Sequence, residues 1–243
     1  MKPPRTPPHA DLAWFLDVDG TLAELVDSPD EVAVHPDTVR LIEQLHSRSH
    51  GALALVSGRP LSDIDRLLPG TNYAAAGQHG FERRNAQGNV TRAGARSPAL
   101  TRAHETLVDL VSQHPGLRLE VKGHSLALHY RQAPRLASFV HRTMRALRDT
   151  LDETFQLQPG KRVLELLPKG IDKGSAVAAF LEEPPFVGRT PVFVGDDLTD
   201  EHAFAIVNAR GGYSVKVGAG RTLARYRLAD VAAVRQWLEG DPN

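Results

Sequence analysis

Three short apolar segments that each end in a polar loop most strongly constrain how this chain can fold. They occupy residues 12–17, 52–57 and 191–195. Short, almost wholly apolar runs are typical of strands that are buried on both faces of a parallel sheet. Ligands of such sheets bind beyond the carboxyl ends of the strands, and the polar loops fall at those ends. The pattern therefore predicts one binding site at this edge of the sheet.

Helical patterns follow these strands. The clearest covers residues 36–49, where apolar residues recur at helical spacing between Pro36 near the start and Gly51 after the end. Further helices are predicted over residues 61–68, 174–182 and 200–208. Strands that alternate with helices indicate an α/β fold with a parallel, Rossmann-like sheet and right-handed crossovers.

The middle of the chain has a different pattern. Gly123-His124 and Pro159-Gly160 are two-residue hairpin signals between strand-like runs, and residues 85–88 form another turn signal. Amphipathic helices are predicted over residues 100–111 and 136–147. We therefore expect residues 82–168 to form an inserted α+β domain, with residues 1–81 and 169–243 as the two parts of the core. Residues 1–10, which include four prolines, are expected to be flexible.

An acidic motif directly follows the first predicted strand. Asp17 and Asp19 lie two residues apart in the segment DVDGT, so both carboxylates can address one centre. One, ionised beside a cation, can attack phosphorus and form an aspartyl phosphate. The other can protonate the leaving alcohol and later activate water. Gly20 permits the sharp turn that a loop around a phosphate needs.

A second acidic motif, GDDLTDE, follows the last predicted strand. It places four carboxylates within residues 196–201, and these would repel one another without a cation. Mg²⁺ takes oxygen ligands and usually binds one or two carboxylates, waters and a phosphate. A metal held between Asp17 and Asp196 meets that requirement. The remaining acids would then support the site from behind or cap the following helix.

Two further segments suit phosphate binding. Ser57-Gly58-Arg59 follows a strand, so a hydroxyl and backbone N–H groups can hold phosphate oxygens there. Lys173-Gly174 begins a predicted helix, where an ammonium and the helix N-terminus both favour an anion. Each segment alone is a weak signal, because most SGR triplets are ordinary loops and surface lysines are common.

Together these segments, in the order DVDGT, SGR, Lys-Gly and GDDLTDE, resemble the four motifs of the haloacid dehalogenase superfamily. The resemblance spans residues 17–201 and implies a Rossmann-like core with a C2-type cap inserted between the second and third motifs. It implies the following roles: Asp17 as nucleophile and metal ligand, Asp19 as general acid/base whose backbone carbonyl also binds Mg²⁺, Ser57 and Lys173 as phosphoryl-binding residues, Asp196 as a metal ligand, and Asp197 and Asp200 close to the metal.

A narrower resemblance concerns the substrate. GDDLTDE, the segment GQHG at residues 77–80, the stretch EVKGH at residues 120–124 and a glutamate before the Lys-Gly resemble trehalose-6-phosphate phosphatases. This implies hydrolysis of trehalose 6-phosphate to trehalose and phosphate, the last step of trehalose biosynthesis, with cap residues holding glucose hydroxyls. The implied substrate-binding residues are Gly58, Arg59, Gln78, His79, Gly80, Glu120, Lys122 and Glu165.

Other interpretations stay open at this point. Another sugar phosphate, such as sucrose phosphate or glucosylglycerol phosphate, or a phosphosugar mutase activity would use the same core motifs. Glu120 and Lys122 share one face of a strand, but they could also form an ordinary surface ion pair. A receiver domain also carries an acidic pocket on a parallel sheet, although it has no use for Asp19 or for a cap.

Composition narrows the possible functions. Lys and Arg number 29, as do Asp and Glu, so nothing indicates a nucleic-acid-binding surface. The chain has no cysteine, which excludes a thiol nucleophile, a thiolate metal site and disulfides. Its apolar runs are too short to span a bilayer, and its N-terminus lacks the apolar region of a secretory signal. We expect a cytoplasmic monomer that acts on a small sugar phosphate, without nucleic-acid or membrane partners.

Overall fold

The structure is a computed structural model that describes residues 11–26, 32–69, 72–92, 98–122, 125–151, 155–160 and 162–240, without the side chain of residue 122. The predicted flexible segment 1–10 lies outside these residues. The chain divides into two compact units, which are described separately below. The first comprises Met1–Ala93 and Ile171–Asn243, and the second comprises Gly94–Gly170.

The described residues form strands and helices in this order: β1 (Leu12–Leu16), α1 (Pro36–Arg48), β2 (Leu53–Val56), α2 (Leu61–Leu67), β3 (Ala74–Gly77), β4 (Glu82–Arg84), β5 (Val90–Arg92), α3 (Pro98–Gln113), β6 (Arg118–Lys122), β7 (Ser125–His129), α4 (Ala137–Asp149), β8 (Phe155–Gly160), β9 (Val163–Pro168), α5 (Lys173–Phe180), β10 (Thr190–Gly195), α6 (Asp200–Ala209), β11 (Tyr213–Val217), β12 (Tyr226–Leu228) and α7 (Val231–Glu239). No helix among them is both long enough and apolar enough to cross a membrane.

The first unit is built on an eight-stranded sheet with the order β12-β11-β10-β1-β2-β3-β4-β5. The six strands from β12 to β3 pair in parallel. The central strand β1 therefore lies between β10 and β2, and the carboxyl ends of all three meet at one edge. This confirms the predicted α/β fold with its parallel sheet.

Helices cover both faces of this sheet, because alternate residues of its central strands point to opposite sides. On one side Trp14 packs against Trp237 of α7, with ring centroids 5.7 Å apart. On the other side Phe15 packs against Phe180 of α5 and stacks on Phe186. The strands are buried on both faces, as their continuous apolar runs predict.

The hairpin of β4 and β5 lies in the first unit, which differs from the domain boundary expected at residue 82. The turn signal at residues 85–88 is real, because the side chain of Asn85 accepts hydrogen bonds from the backbone N–H groups of Gln87 and Asn89. However, β4 pairs with β3, with Ala76 opposite Arg83, and thereby extends the parallel sheet by an antiparallel edge. Turn chemistry is local, whereas strand pairing is not, so the sequence predicted the turn but not the pairing of β4 with β3.

The second unit is an antiparallel sheet with the order β6-β7-β9-β8, accompanied by α3 and α4. One sheet face is apolar and belongs to a core that contains Leu126, Leu128 and Leu166 with Val140 and Met144 of α4. The other face carries polar residues, since β-strand side chains alternate. The α+β character expected of the insertion is thus present. The tip of the first predicted hairpin, residues 123–124, lies outside the described residues.

Candidate active site

Two acidic loops meet at the carboxyl edge of the parallel sheet. Asp17 directly follows β1, and its backbone N–H donates to the carbonyl of Val194 on β10 at 3.0 Å. Gly20 has φ +69°, and a Cβ atom added there would lie 2.2 Å from Oδ2 of Asp196. Only glycine fits so close an approach. The DVDGT and GDDLTDE segments therefore contact one another, as predicted for loops that follow neighbouring parallel strands.

Lys173 joins the two acidic loops to α5. Its Nζ lies 2.9 Å from Oδ2 of Asp17 and 2.7 Å from Oδ1 of Asp200, and all three side chains are buried. Lys173 is the first residue of α5, where Asp172 and Ser175 form a reciprocal capping box that fixes the start of the helix. The ammonium is thus held rigidly between two carboxylates.

The electrostatics of this buried group are unbalanced. Burial, aided by repulsion from Asp200, raises the pKa of Asp17 well above its usual value, against the opposing attraction of Lys173. Burial alone would lower the pKa of Lys173, but the two carboxylates raise it far beyond its usual range. Burial and repulsion from Asp200 and Asp197 raise the pKa of Asp196 to about 6. The ammonium of Lys173 alone therefore does not neutralise the negative charge of the carboxylates around it.

Lys216 is a site residue that the sequence analysis missed. It lies on β11 opposite Gly195 and is 6% exposed, and its charge lowers the pKa of Asp196. The only signal in the sequence is a lysine within the apolar run of residues 213–217. Because Ser214 and Lys216 interrupt the apolar residues, this run lacks the continuous apolar pattern of a buried strand, and the sequence does not distinguish Lys216 from a surface lysine.

The acidic cluster fits a divalent cation. Single carboxylate oxygens of Asp17, Asp196 and Asp200 all lie within 4.8 Å of one another. Asp17, Asp196, Asp197 and Asp200 carry four formal negative charges, and the ammonium groups of Lys173 and Lys216 offset two of them. Oxygen ligands in a compact group with this charge are what Mg²⁺ and similar ions require.

The other acids of the second loop have structural partners. Asp197 Oδ1 accepts hydrogen bonds from the backbone N–H and the hydroxyl of Thr199, both at 2.6 Å. Asp200 Oδ2 accepts the N–H of Asp197 at 2.9 Å, while its Oδ1 holds Lys173. Glu201 Oε2 accepts the N–H of Leu223 at 2.7 Å. Asp200 therefore fixes the shape of the loop as well as belonging to the acidic cluster.

The loop after β2 lies on the other side of β1. Ser57 is fully buried, and its hydroxyl accepts the N–H of Arg59 at 3.2 Å. A Cβ atom added at Gly58 would lie 2.8 Å from the ring of His79, so glycine is required for this contact. The side chain of Arg59 donates two hydrogen bonds to Asp19, from Nε to Oδ2 at 2.7 Å and from Nη2 to Oδ1 at 2.8 Å.

A turn at Gln78–Gly80 holds that loop in place. Gln78 and His79 both have positive φ, at 48° and 60°, a left-handed conformation that is unusual for residues other than glycine. Their backbone N–H groups donate to the carbonyls of Arg59 and Ser57, respectively. The predicted residues Gly58, Arg59, Gln78 and His79 are therefore brought together within the first unit.

The predicted sugar-binding residues of the second unit lie on the polar face of its sheet. Glu120 and Glu165 both pair with Ala127, from the two strands that flank β7, which places them on the same side. Glu120 lies 2.8 Å from Nε2 of His129, and Glu165 accepts the hydroxyl of Ser125 at 2.6 Å. The side chain of Lys122 lies outside the described part of the chain.

Comparison with known proteins identifies the family. A sequence model of the family described as trehalose-phosphatase matches residues 15–232. The trehalose-6-phosphate phosphatase of Escherichia coli (strain K12) is 44% identical over 95% of this chain and 86% of its own length. The chain belongs to the trehalose-phosphatase family. The resemblance stated from the motifs is thereby confirmed.

Other members and solved structures agree with this assignment. A probable trehalose-phosphate phosphatase of Sinorhizobium fredii is 41% identical over 85% of this chain and 77% of its own length. The C-terminal domain of the Candida albicans trehalose-6-phosphate phosphatase, at 22% identity, superposes with a TM-score of 0.78 over 94% of this chain and 91% of that domain. At that identity the likeness concerns the fold, and the fold is that of a trehalose-phosphatase with its inserted unit.

Proposed function

We propose that this protein is a divalent-metal-dependent phosphatase that hydrolyses trehalose 6-phosphate to trehalose and phosphate. The observation that carries the proposal is the buried Asp17 at the end of β1, held 2.9 Å from Lys173 in a chain of the trehalose-phosphatase family. A carboxylate fixed by an ammonium at the open edge of a parallel sheet is placed as a nucleophile for a phosphoryl group.

The first step transfers the phosphoryl group to the protein. Asp17 attacks phosphorus in line with the bridging sugar oxygen, the bond from phosphorus to that oxygen breaks, and an aspartyl phosphate forms. Asp19, which lies beside the nucleophile on the same loop and is partly exposed, gives a proton to the departing sugar oxygen. Lys173 and Ser57 stabilise the charge on the phosphoryl oxygens.

The second step releases phosphate. Asp19 takes a proton from a water molecule, which attacks the phosphorus of the aspartyl phosphate and breaks its bond to the Asp17 oxygen. Asp17 is regenerated as a carboxylate, and Lys173 keeps it in place for the next cycle. The same side chain thus acts as acid in the first step and as base in the second.

The metal would be held by the residues of the acidic cluster. Asp17, Asp196 and the backbone carbonyl of Asp19 are the proposed ligands, and Asp200 is the third carboxylate of the cluster. When bound, Mg²⁺ would offset the negative charge that the carboxylates and the phosphoryl oxygens share. The excess of two negative charges in the cluster supports a divalent rather than a monovalent ion.

The second unit would supply recognition of the sugar. Carboxylates accept hydrogen bonds from hydroxyls and an ammonium donates to hydroxyl oxygens, so Glu120, Lys122 and Glu165 suit an uncharged disaccharide. The partners of Glu120 and Glu165, His129 and Ser125, orient the two carboxylates on the polar face. That the protein acts as a cytoplasmic monomer stays a prediction.

The experiment is phosphate release from a panel of sugar phosphates, with Mg²⁺ and with EDTA. We expect release to require the metal and to be fastest with trehalose 6-phosphate. Metal-dependent release that favours sucrose phosphate or glucosylglycerol phosphate would agree with the proposed catalytic residues but would contradict the proposed substrate. Release that persists in EDTA would contradict the metal site.

A further inference from the structure

The pairing of Arg59 with Asp19 adds a role that the motifs do not assign. Nε of Arg59 donates to Oδ2 of Asp19 at 2.7 Å and Nη2 donates to Oδ1 at 2.8 Å, across 40 positions of sequence. The side chain of Arg59 is only 10% exposed, whereas that of Asp19 is 31% exposed. The arginine is therefore enclosed by the protein, and the carboxylate is the end of the pair that is accessible to a substrate.

The backbone of Arg59 is fixed independently of its side chain. Its N–H donates to the hydroxyl of Ser57, and its carbonyl accepts the N–H of Gln78 at 2.9 Å. Gln78 is one of the two residues with positive φ in the turn after β3. A turn held in that conformation fixes the point from which the arginine side chain extends.

Asp63 holds the far side of the guanidinium. It lies on α2, four residues after Arg59, and its Oδ2 is 4.0 Å from Nη1 of Arg59. The three residues therefore form a row in which Asp63 steadies the arginine and the arginine holds Asp19. A planar guanidinium that donates two parallel hydrogen bonds fixes the plane of a carboxylate, which a lysine ammonium cannot do.

We propose that Arg59 is a positioning residue that orients the Asp19 carboxylate for proton transfer to the leaving sugar oxygen. A carboxylate has about four lone-pair sites, and the arginine uses one on each oxygen. The other site on each oxygen can then carry a proton, and the Asp19 side chain is 31% exposed. This inference rests on the proposed function, because it concerns the role of Asp19 as general acid.

The inference predicts a dependence on the leaving group. A sugar alkoxide leaves poorly unless it is protonated, whereas p-nitrophenolate leaves readily without a proton. Loss of the Asp19 orientation should therefore slow the first step with trehalose 6-phosphate far more than with p-nitrophenyl phosphate. A residue that only binds the phosphate, or only supports the fold, would affect both substrates alike.

The test measures product release in the first turnover by rapid quench with both substrates, at saturating Mg²⁺. For Arg59→Met and Arg59→Lys we expect sugar release to slow by about 10²-fold or more and p-nitrophenolate release by less than about fivefold. Arg59→Lys retains the charge and most of the side-chain volume. It therefore allows the two release rates to be compared even if Arg59→Met does not fold. Arg66→Met removes an exposed arginine of α2 that lies 3.6 Å from Oδ1 of Asp63, so it is the matched control and should leave both rates unchanged.

Asp19→Asn separates this inference from the proposed function. It should show the same leaving-group dependence, and adding Arg59→Met to it should change little further, because both act on one interaction. If Asp19→Asn slows both substrates equally, the general-acid assignment is wrong. If Asp19→Asn shows the dependence while the Arg59 variants slow both substrates equally, or neither, Arg59 has another role and only this inference is overturned.

Discussion

Lys173 has the most demanding environment of any residue in the site, because its ammonium is buried between Asp17 and Asp200. Removing one partner of a buried charge pair is strongly destabilising, since the remaining charge is left without compensation. Yet the trio already holds one more carboxylate than ammonium. At the scale of single residues, this arrangement of charges therefore opposes stability, and neutralising Asp17 relieves the excess of negative charge.

The first prediction concerns Asp17→Asn. It removes the nucleophilic charge, so turnover should fall by about 10⁴-fold or more. Because burial raises the pKa of Asp17, the neutral amide should be tolerated, and the metal-free variant should melt no lower than the parent protein. Phosphate release and thermal unfolding in EDTA measure the two effects. Near-normal turnover would contradict the assignment of Asp17 as the nucleophile.

The second prediction concerns pH and His46 on α1. Its ring meets Tyr73 edge-on, with centroids 5.3 Å apart, and burial lowers the pKa of His46 below its usual value of about 6.5. The unfolded chain therefore binds the proton more readily than the folded protein does. Stability is present above about pH 6.5 and is lost as pH falls through the lowered pKa.

His46→Gln should accordingly reduce the loss of melting temperature between pH 7.5 and pH 5.5. His50→Asn is the control, because His50 is exposed and precedes the next strand without packing against the core. An unchanged acid sensitivity in His46→Gln, or an equal reduction in His50→Asn, would show that other groups dominate in this pH range.

At the scale of secondary structure, the hairpin of β4 and β5 shows how a short edge element is attached. Arg84 is 7% exposed, and it donates to both oxygens of Asp65 on α2 and to the carbonyl of Tyr73. Arg92 on the next strand pairs with Glu82 but is exposed. The first arginine therefore ties the hairpin to the sheet and to a helix, whereas the second lies at the surface.

The third prediction follows from this contrast. Arg84→Met should lower the free energy of unfolding by about 2 kcal/mol, because it breaks the hydrogen bonds of a buried guanidinium to Asp65 and removes the donor that the Tyr73 carbonyl accepts. Arg92→Met should change it by less than about 1 kcal/mol, as for most exposed ion pairs. Urea unfolding of both variants compares them. Equal effects would mean that the hairpin is not anchored through Arg84.

The sequence could predict elements with strong local patterns and missed those that depend on pairing. The apolar runs of β1, β2 and β10 and the spaced apolar residues of α1 are evident without the fold. In contrast β3 is three alanines and a glycine, which have weak strand propensity and form a strand because β2 pairs with them.

The same distinction applies to the site. Loops that follow neighbouring parallel strands must meet, so the proximity of Asp17, Ser57 and Asp196 could be predicted. The partners of Arg59 and Lys216 could not, because Asp19 lies 40 positions from Arg59 and Lys216 approaches Asp196 only through the pairing of β10 with β11. Side-chain partners at such separations are fixed by the assembled sheet rather than by a local pattern.

At the scale of the whole molecule, the proposed metal site at the acidic cluster would couple metal binding to folding. Its carboxylates belong to loops after β1 and β10 and to the start of α6, and these approach one another only in the folded protein. A ligand that binds only the folded state stabilises it in proportion to the logarithm of its concentration.

The fourth prediction is that Mg²⁺ raises the melting temperature. At about 100 times its dissociation constant the gain should be about 2.7 kcal/mol. Asp196→Asn should lose most of this gain, and NaCl at equal ionic strength should not reproduce it. A melting temperature that does not respond to Mg²⁺ in the parent protein would indicate that the cluster does not bind the ion.

The division of the chain into two units has a consequence for how such proteins can diversify. All residues proposed for phosphoryl transfer lie in Met1–Ala93 and Ile171–Asn243, and those proposed to contact the sugar through its hydroxyls, Glu120, Lys122 and Glu165, lie in Gly94–Gly170. In this proposal the residues of the chemical step and those that contact the sugar hydroxyls lie in separate stretches of the sequence. Mutation or exchange of the inserted stretch can change which phosphate ester is accepted while the hydrolytic apparatus is inherited intact.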